Sequence, residues 1–183
     1  MKSLSECSII AAVRNNEEFN MAIKSNVKII FDLSPDLLTL SEKVELVHKN
    51  GKKLFIHIDL ATGIGKDRSG ILYSKNMGVD GIISTRVNII KIARELGLFT
   101  VQRFFIVDSH SIDTTIEAIK SSKPDMIEIM PGVVIKNIKK LKEKLNIPII
   151  SGGLVEDAEE VKEALKNGAV LVSTGKKELW ENV

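Results

Sequence analysis

Two glycine-bearing segments near the end of the chain have residue types that suit anion binding. They are Ser151-Gly152-Gly153-Leu154 and Ser173-Thr174-Gly175, and each follows a short run of branched apolar residues. Glycine lets backbone N–H groups approach an anion closely, and a helix that starts after such a turn adds partial positive charge. We predict that Gly152-Gly153 and Ser173-Thr174 converge into one cradle for an oxyanion. The alternative is that both segments are tight turns without a ligand.

Two acidic residues stand at or near the ends of apolar runs, and their chemistry leaves three roles open. Asp59 ends the run Lys53–Asp59, and Glu128 lies in the run Met126–Met130. The carboxylates could accept hydrogen bonds from ligand hydroxyls, act as general acid and base, or form a structural ion pair with Arg103. We favour hydroxyl binding over catalysis. No lysine stands at the C-terminal end of a predicted strand, which argues against Schiff-base chemistry.

The histidines and the single cysteine do not form the pattern of a metal site. His57, two residues before Asp59, is interpreted as a buried histidine that a neighbouring group satisfies. No spacing among the three histidines, or between them and Cys7, resembles a set of metal ligands. Neither a metal nor another cofactor is expected.

A lysine-rich segment follows Met130. Apolar residues at helical spacing between Val134 and Leu145 form a stripe that a core would cover, which leaves the lysines on the solvent face. These are Lys136, Lys139, Lys140, Lys142 and Lys144. A solvated helix face is the favoured interpretation, and a salt-sensitive surface for RNA phosphates is the alternative.

Eight short β-branched runs, alternating with helical patterns, must position these residues. The predicted strands are Ser8–Val13, Val27–Phe31, Lys53–Asp59, Gly81–Ser84, Phe99–Phe104, Met126–Met130, Pro148–Ser151 and Val170–Ser173. Helices are predicted to start at Ser34-Pro35 and at Asp108-Ser109, and a short last helix to cover Lys176–Glu181. This alternation favours a parallel sheet with right-handed crossovers.

The sequence therefore predicts an α/β fold, a single compact (β/α)8 TIM barrel over residues 1–183. The two glycine segments would follow strands seven and eight, where such barrels commonly bind phosphate. An open doubly wound sheet is the competing fold, but no G-x-G-x-x-G follows the first strand. Because side chains alternate along a strand, His57, Asp59 and Glu128 should face the lumen.

The composition is that of one soluble globular domain. Of 183 residues, 44% are hydrophobic and 27% are charged, and the single cysteine excludes an internal disulfide, which suits the reducing cytoplasm. No apolar run is long enough for a signal peptide or a membrane span, so a cytoplasmic location is expected. The net charge of +2 and the few aromatic residues argue against an extended base-stacking platform. If RNA is bound, local patches and backbone contacts must bind it.

Motifs spread over the whole chain resemble the GlpP family, the glycerol-3-phosphate-responsive antiterminators of bacterial glycerol-uptake operons. The motifs are His57-Ile58-Asp59-Leu60, Asp80-Gly81-Ile82-Ile83-Ser84-Thr85, Gln102-Arg103-Phe104-Phe105, Glu128-Ile129-Met130-Pro131-Gly132, Ser151-Gly152-Gly153-Leu154 and Glu178-Leu179-Trp180. Two positions depart mildly from the family pattern, Ser151 where alanine is expected and Arg86 where lysine often stands.

The resemblance implies a barrel regulator rather than an enzyme, one that binds glycerol 3-phosphate and acts on the leader mRNA of its operon, with a homodimer as the candidate oligomeric state. By motif, Gly152, Gly153, Ser173 and Thr174 would hold the phosphate, and Asp59, Arg103 and Glu128 would line the rest of the pocket. Two other classes stay open from the residues alone. One is an isomerase or synthase for a small phosphorylated sugar that uses Asp59 and Glu128 as acid and base. The other is a barrel that serves only as a protein-interaction module.

Overall fold

The computed structural model describes residues 8–181, which form a closed barrel of eight parallel strands in sequential order. The strands are β1 Ile9–Val13, β2 Ile29–Asp32, β3 Lys53–His57, β4 Gly81–Ser84, β5 Phe99–Phe105, β6 Met126–Met130, β7 Ile149–Gly152 and β8 Ala169–Thr174. The helices are α1 Asn16–Lys24, α2 Leu40–Lys49, α3 Arg68–Asn76, α4 Val87–Glu95, α5 Ser109–Ser122, α6 Ile135–Lys144 and α7 Ala158–Lys166. The pairing of β1 with β8 closes the sheet, so the predicted TIM barrel is confirmed and the open sheet is excluded.

Alternation along the strands separates two apolar layers. Leu54, Ile56 and Ile127 point outward into the larger core between strands and helices. Phe31, Phe55 and Phe99 instead pack inside the lumen, with ring centroids 5.6 Å apart in each contact. These rings fill the N-terminal half of the barrel, and polar side chains follow them toward the C-terminal rim. The predicted inward orientation of His57 and Glu128 agrees with this alternation, because both are buried beside lumen residues.

The segment between β2 and α2 differs from the prediction. The helix begins at Leu40 and not at Ser34-Pro35. Residues 34–39 are instead tied to the loop after β3, because Thr62 donates its N–H to the carbonyl of Pro35 and Leu37 donates to that of Thr62. These long-range hydrogen bonds keep residues 34–39 in a non-helical conformation. Local helix-start signals cannot reveal such bonds.

The predicted helix start at Asp108-Ser109 is confirmed. Asp108 caps α5 by accepting from the N–H of Ser111, whose hydroxyl in turn accepts from the N–H of Asp108. After β8, by contrast, the predicted last helix is only a 3-10 turn over Lys177–Leu179.

The chain after β8 packs back on the barrel. Trp180 is buried and donates its indole N–H to the carbonyl of Thr174 at 2.9 Å, and Asn26 donates to the carbonyl of Glu181. The turn therefore fixes the end of β8 from outside the barrel. Cys7 lies outside the described residues, and within residues 8–181 no helix has the length and apolarity to span a membrane.

Candidate functional site

A cavity of about 280 Å³ opens at the C-terminal end of the barrel, between the loops after β7 and β8. The side chains and backbone that matter for binding are those of Arg14, Arg103, Glu128, Gly153, Leu154, Ser173, Thr174, Gly175 and Lys176. Its size matches the lower end of small-molecule sites, about 300 Å³. Five of the seven residues predicted by motif line the cavity, and Gly152 and Asp59 do not.

The loops after β7 and β8 lie side by side, as the cradle requires. Gly152 is the register partner of Ser173 across the two strands. The Thr174 hydroxyl donates to the carbonyl of Val155 at 2.7 Å and accepts from the N–H of Lys176. Thr174 thus links the two loops by hydrogen bonds, so that a movement of one loop is transmitted to the other.

Both glycines in the β7 loop are required by their surroundings. A Cβ on Gly152 would collide with the carboxylate of Glu128 and lie 2.9 Å from the Ser173 hydroxyl oxygen. Gly153 has a φ of +75°, and a Cβ there would lie 2.6 Å from the terminal methyl of Met130. Gly152 therefore packs behind the cavity and lets Glu128 reach Ser173, whereas Gly153 lies on the cavity wall.

The residues that line the cavity include backbone donors without protein partners. Among the hydrogen bonds of residues 8–181, none takes up the N–H of Gly153, Leu154 or Gly175. Leu154 also has a positive φ of 61°, a conformation that costs a non-glycine residue energy and is concentrated at functional sites. These free N–H groups are the donors that an anion would use.

The helix after β7 does not add the positive charge that the sequence suggested. The carboxylate of Asp157 accepts from the N–H groups of Glu159 and Glu160, and Glu160 in turn accepts from the N–H of Glu156. The protein's own carboxylates therefore occupy the first-turn donors of α7. The charge for an anion must come from side chains.

Arg103 and Glu128 form a buried ion pair, the third of the roles considered for the carboxylate. The Nε of Arg103 donates to Oε2 of Glu128 at 2.6 Å, and the Ser173 hydroxyl donates to Oε1 at 2.5 Å. Glu128 is fully buried and the Arg103 side chain is 7% exposed. The terminal nitrogens of Arg103 have no partner among the described residues, and Arg103 lines the cavity. Glu128 thus orients Arg103 while leaving its remaining donors to a ligand.

Two cations at the cavity were missed from the sequence. Arg14 comes directly after β1, and one of its guanidinium nitrogens lies 3.3 Å from the position of a Cβ on Gly175. Lys176 comes two residues after β8. Within residues 8–181 neither side chain forms an ion pair. The sequence contained a signal for both, because each residue follows the end of a strand. The expectation that no lysine stands at the C-terminal end of a strand overlooked Lys176, which comes two residues after β8.

Asp59 is bonded to the neighbouring loop and not to the cavity. Its carboxylate accepts from the Ser84 hydroxyl at 2.8 Å and from the N–H and hydroxyl of Thr85 at 2.8 and 3.0 Å. Arg86 approaches it at 3.6 Å. These contacts make Asp59 an organiser of the β4–α4 connection.

His57 is buried as predicted, but the prediction that a neighbour satisfies it is wrong for Nδ1. That atom has no hydrogen-bond partner among the described residues, and the nearest carboxylate oxygen, of Asp59, is 4.0 Å away. Burial lowers the pKa of His57 from 6.5 to about 4; the charge of Arg103 lowers it too, while Asp59 and Glu128 oppose the shift. The imidazole is therefore neutral at physiological pH.

No cluster of three or more His, Cys, Asp or Glu side chains in the described part of the chain is arranged to hold a metal ion. The polar groups of the cavity lining are three cations, N–H donors without a protein partner, the carboxylates of Glu128 and Glu156, and two hydroxyls that already donate to other protein groups. The cations and the free N–H donors are the groups left for a ligand. This set is suited to an anionic ligand with several oxygens.

Comparison with known proteins relates this architecture to regulators of glycerol uptake. A family model described as "Glycerol-3-phosphate responsive antiterminator" matches residues 9–180. The protein YgcP of Escherichia coli strain K12 is 38% identical over 173 residues, which cover 94% of this chain and 91% of YgcP.

Two solved structures are also similar over nearly their full lengths. One is a glycerol uptake operon antiterminator regulatory protein from Listeria monocytogenes strain 4b F2365, with a TM-score of 0.89 and 33% identity over 94% of each chain. The other is a glycerol uptake operon antiterminator-related protein from Thermotoga maritima MSB8, with a TM-score of 0.85 and 31% identity over 95% of this chain and 98% of the other.

Proposed function

This chain belongs to the glycerol-3-phosphate responsive antiterminator family, and from that premise we propose that it binds glycerol 3-phosphate in the cavity between the β7 and β8 loops and then acts on the leader mRNA of a glycerol-utilisation operon. The observation that carries this proposal is the cavity itself. It gathers Arg14, Arg103 and Lys176 around free backbone donors on a barrel of this family.

The charge of the cavity supports a phosphate ester as ligand. A phosphate monoester carries about −1.5 to −2 charges at pH 7 and presents three acceptor oxygens. We assign the phosphate to Gly153, Ser173 and Thr174 with their loop amides, with Gly152 shaping the turn from behind. Arg14 and Lys176 supply the opposing charge from the outer side.

The inner part of the cavity suits the polyol end of the ligand. Arg103 has terminal N–H donors left for a hydroxyl oxygen, and Ala12 and Leu33 provide a small apolar wall. Glu128 lines the cavity, but both of its oxygens already accept from Arg103 and Ser173, so its role is to hold these two side chains. Asp59 affects the cavity only indirectly, by holding the β4–α4 connection in place.

The environment of the two carboxylates favours a sensor over a phosphosugar enzyme. A general acid or base must reach the proton that it transfers. Both oxygens of Glu128 already accept hydrogen bonds from Arg103 and Ser173, and both oxygens of Asp59 accept from Ser84 and Thr85. Lys176 is exposed at the rim, where it serves as a cation for the ligand.

Regulation requires the ligand to bind one conformation better than another. The hydrogen bonds of Thr174 give a physical route for this coupling, because they join the two loops that would close on the phosphate. The bound ligand would order both loops together and shift the population toward the form that binds RNA.

Calorimetry tests the ligand half of the proposal. Glycerol 3-phosphate is expected to bind wild-type protein, and glycerol at the same concentration is not. An Arg14→Gln variant should bind glycerol 3-phosphate more weakly, whereas Arg68→Gln, which removes a charge from an exposed pair on α3, should bind it normally. Equal binding of glycerol and its phosphate would refute the proposed site.

Filter binding tests the RNA half. Leader RNA transcribed from the glycerol-utilisation operon of the same genome is titrated with protein, with and without glycerol 3-phosphate. The apparent Kd is expected to differ between the two arms, and identical curves would refute the sensing mechanism. NMR of the protein with a panel of triose and pentose phosphates provides the counter-test, because turnover that Asp59→Ala abolishes would establish an enzyme instead.

A further inference from the structure

A second cleft lies beside the ligand cavity on the same end of the barrel, between the chain after β5 and the start of α6. Its volume is about 310 Å³, and its lining includes Val107, Val134, Lys136, Asn137 and Lys140. Val107 is 83% exposed and Val134 is 39% exposed. Exposed branched apolar residues in a concave surface are typical of interaction sites.

One wall of this cleft is cationic. Lys136 and Lys140 are four residues apart and so lie on the same side of α6. Neither forms an ion pair within residues 8–181, although Lys144, one turn further on, approaches Asp113 of α5 at 3.5 Å. The one carboxylate in the lining, Asp108, already accepts from the N–H and hydroxyl of Ser111 as the cap of α5.

An aromatic ring stands next to the cleft. Phe105, the last residue of β5, is 57% exposed and comes two residues before Val107. Its register partner, Met130, lines the ligand cavity. Phe105 therefore lies at the end of a strand that precedes the cleft residues and pairs with the strand that carries Met130. Few aromatic residues are needed here, because a single exposed ring can stack one base.

We infer that the cleft between β5 and α6, with Phe105, Val107, Lys136 and Lys140, is the surface that binds single-stranded RNA. This inference rests on the proposed function and assigns its RNA surface. Unpaired bases stack on aromatic and apolar side chains, while lysines neutralise the adjoining phosphates. Asn137, in the same lining, offers an amide that can pair with a base edge.

The charge of the wall favours RNA over a second copy of the chain. A two-fold contact sets a patch against its own copy, so the unpaired lysines of the two subunits would approach each other. An RNA backbone supplies the opposite charge. The position also offers a route for coupling, since Met130 lines the ligand cavity and is the strand register partner of Phe105.

The test compares two pairs of lysines on the same helix. The K136Q/K140Q variant removes both charges from the cleft wall. The matched control, K139Q/K142Q, removes two charges of α6 that do not line the cleft; the side chain of Lys142 packs beside Gly168. Phe105→Ala removes the ring without changing the charge.

Fluorescence anisotropy with the leader RNA, at several salt concentrations with and without glycerol 3-phosphate, gives the readout. Two lost phosphate contacts on a single strand reduce the slope of log K against log salt by about 1.4 and weaken binding about tenfold at 0.15 M salt. Phe105→Ala is expected to weaken binding about fivefold or more. The control pair is expected to match the wild type.

Each outcome decides one question. If wild-type protein does not bind the RNA, the proposed function itself fails. If wild-type protein binds and K136Q/K140Q binds equally, or if the control pair loses as much, the assigned surface is wrong. A change of oligomeric state in K136Q/K140Q, measured by sedimentation, would assign the cleft to a second copy and also overturn the inference.

Discussion

The buried ion pair between Arg103 and Glu128 permits a quantitative prediction about stability. Glu128→Gln keeps the size of the side chain and its capacity to accept from Arg103, but it removes the negative charge. Because the arginine is 7% exposed and the glutamate is fully buried, water screens the pair very little. Removing one partner of a buried pair costs about 3–5 kcal/mol, since the other charge is left uncompensated.

The lower end of that range applies here, because the amide oxygen can still accept from Arg103 and the amide NH2 can donate to the Ser173 hydroxyl oxygen, which reverses the direction of that bond. For a domain of this size a loss of 1 kcal/mol lowers the Tm by about 2–4 °C. Glu128→Gln is therefore expected to lower the Tm by roughly 6–12 °C, measured by circular dichroism at pH 7 without ligand.

A matched control separates burial from charge. Glu95→Gln breaks the Arg68–Glu95 pair, whose side chains are 60% and 63% exposed. That pair is worth about 0–1 kcal/mol. An R103M/E128L double variant should recover most of the lost stability, because apolar residues can replace a buried pair without a charge to compensate. A Tm shift for Glu128→Gln no larger than for Glu95→Gln would refute the reasoning.

Three further predictions concern residues near the site. Since burial holds the pKa of His57 at about 4, against 6.5 in the unfolded chain, the unfolded state takes up the proton first. The free energy of unfolding should therefore fall by about 3 kcal/mol as pH decreases from above 6.5 to below 4; urea titrations of His57→Asn should lack this part of the pH dependence, and parallel curves would contradict it. Gly153→Ala should destabilise the protein more than Gly51→Ala, because both have positive φ but only Gly153 has an atom, the Met130 methyl, in the way; equal denaturant midpoints would show that the methyl simply moves. Trp180, the one tryptophan, donates to the carbonyl of Thr174, so glycerol 3-phosphate should change its emission; calorimetric binding with unchanged fluorescence would place the ligand away from the β8 loop.

The barrel was predictable from sequence because its signals are local and repeated. Each strand is a short β-branched run, and alternation alone placed His57 and Glu128 in the lumen. The start of α2 was missed because bonds between Thr62 and the segment around Pro35 override the local helix-start signal. Such contacts join residues nearly thirty positions apart, and no window of sequence contains both.

The sequence predicted which two loops flank the cavity but not the charges that line it. The glycine pairs indicated which two loops would meet, since strand count fixes their neighbours. Arg14 was missed because a single cation after a strand forms no recognisable sequence motif. It comes close to the β8 loop only because the barrel closes by pairing β1 with β8. The sequence left three roles open for Glu128, of which the ion pair with Arg103 was one. Only the side-chain geometry distinguishes an ion pair from a ligand contact.

The rings of Phe31, Phe55 and Phe99, in tilted and edge-to-face contact, fill part of the lumen, and none of the three lines the cavity. This division has a consequence for protein engineering. Repacking these rings could raise the thermal stability of the barrel without changing any residue of the cavity lining. A redesign of the cavity for a new effector would have to keep or replace the Arg103–Glu128 pair, because that pair also stabilises the fold.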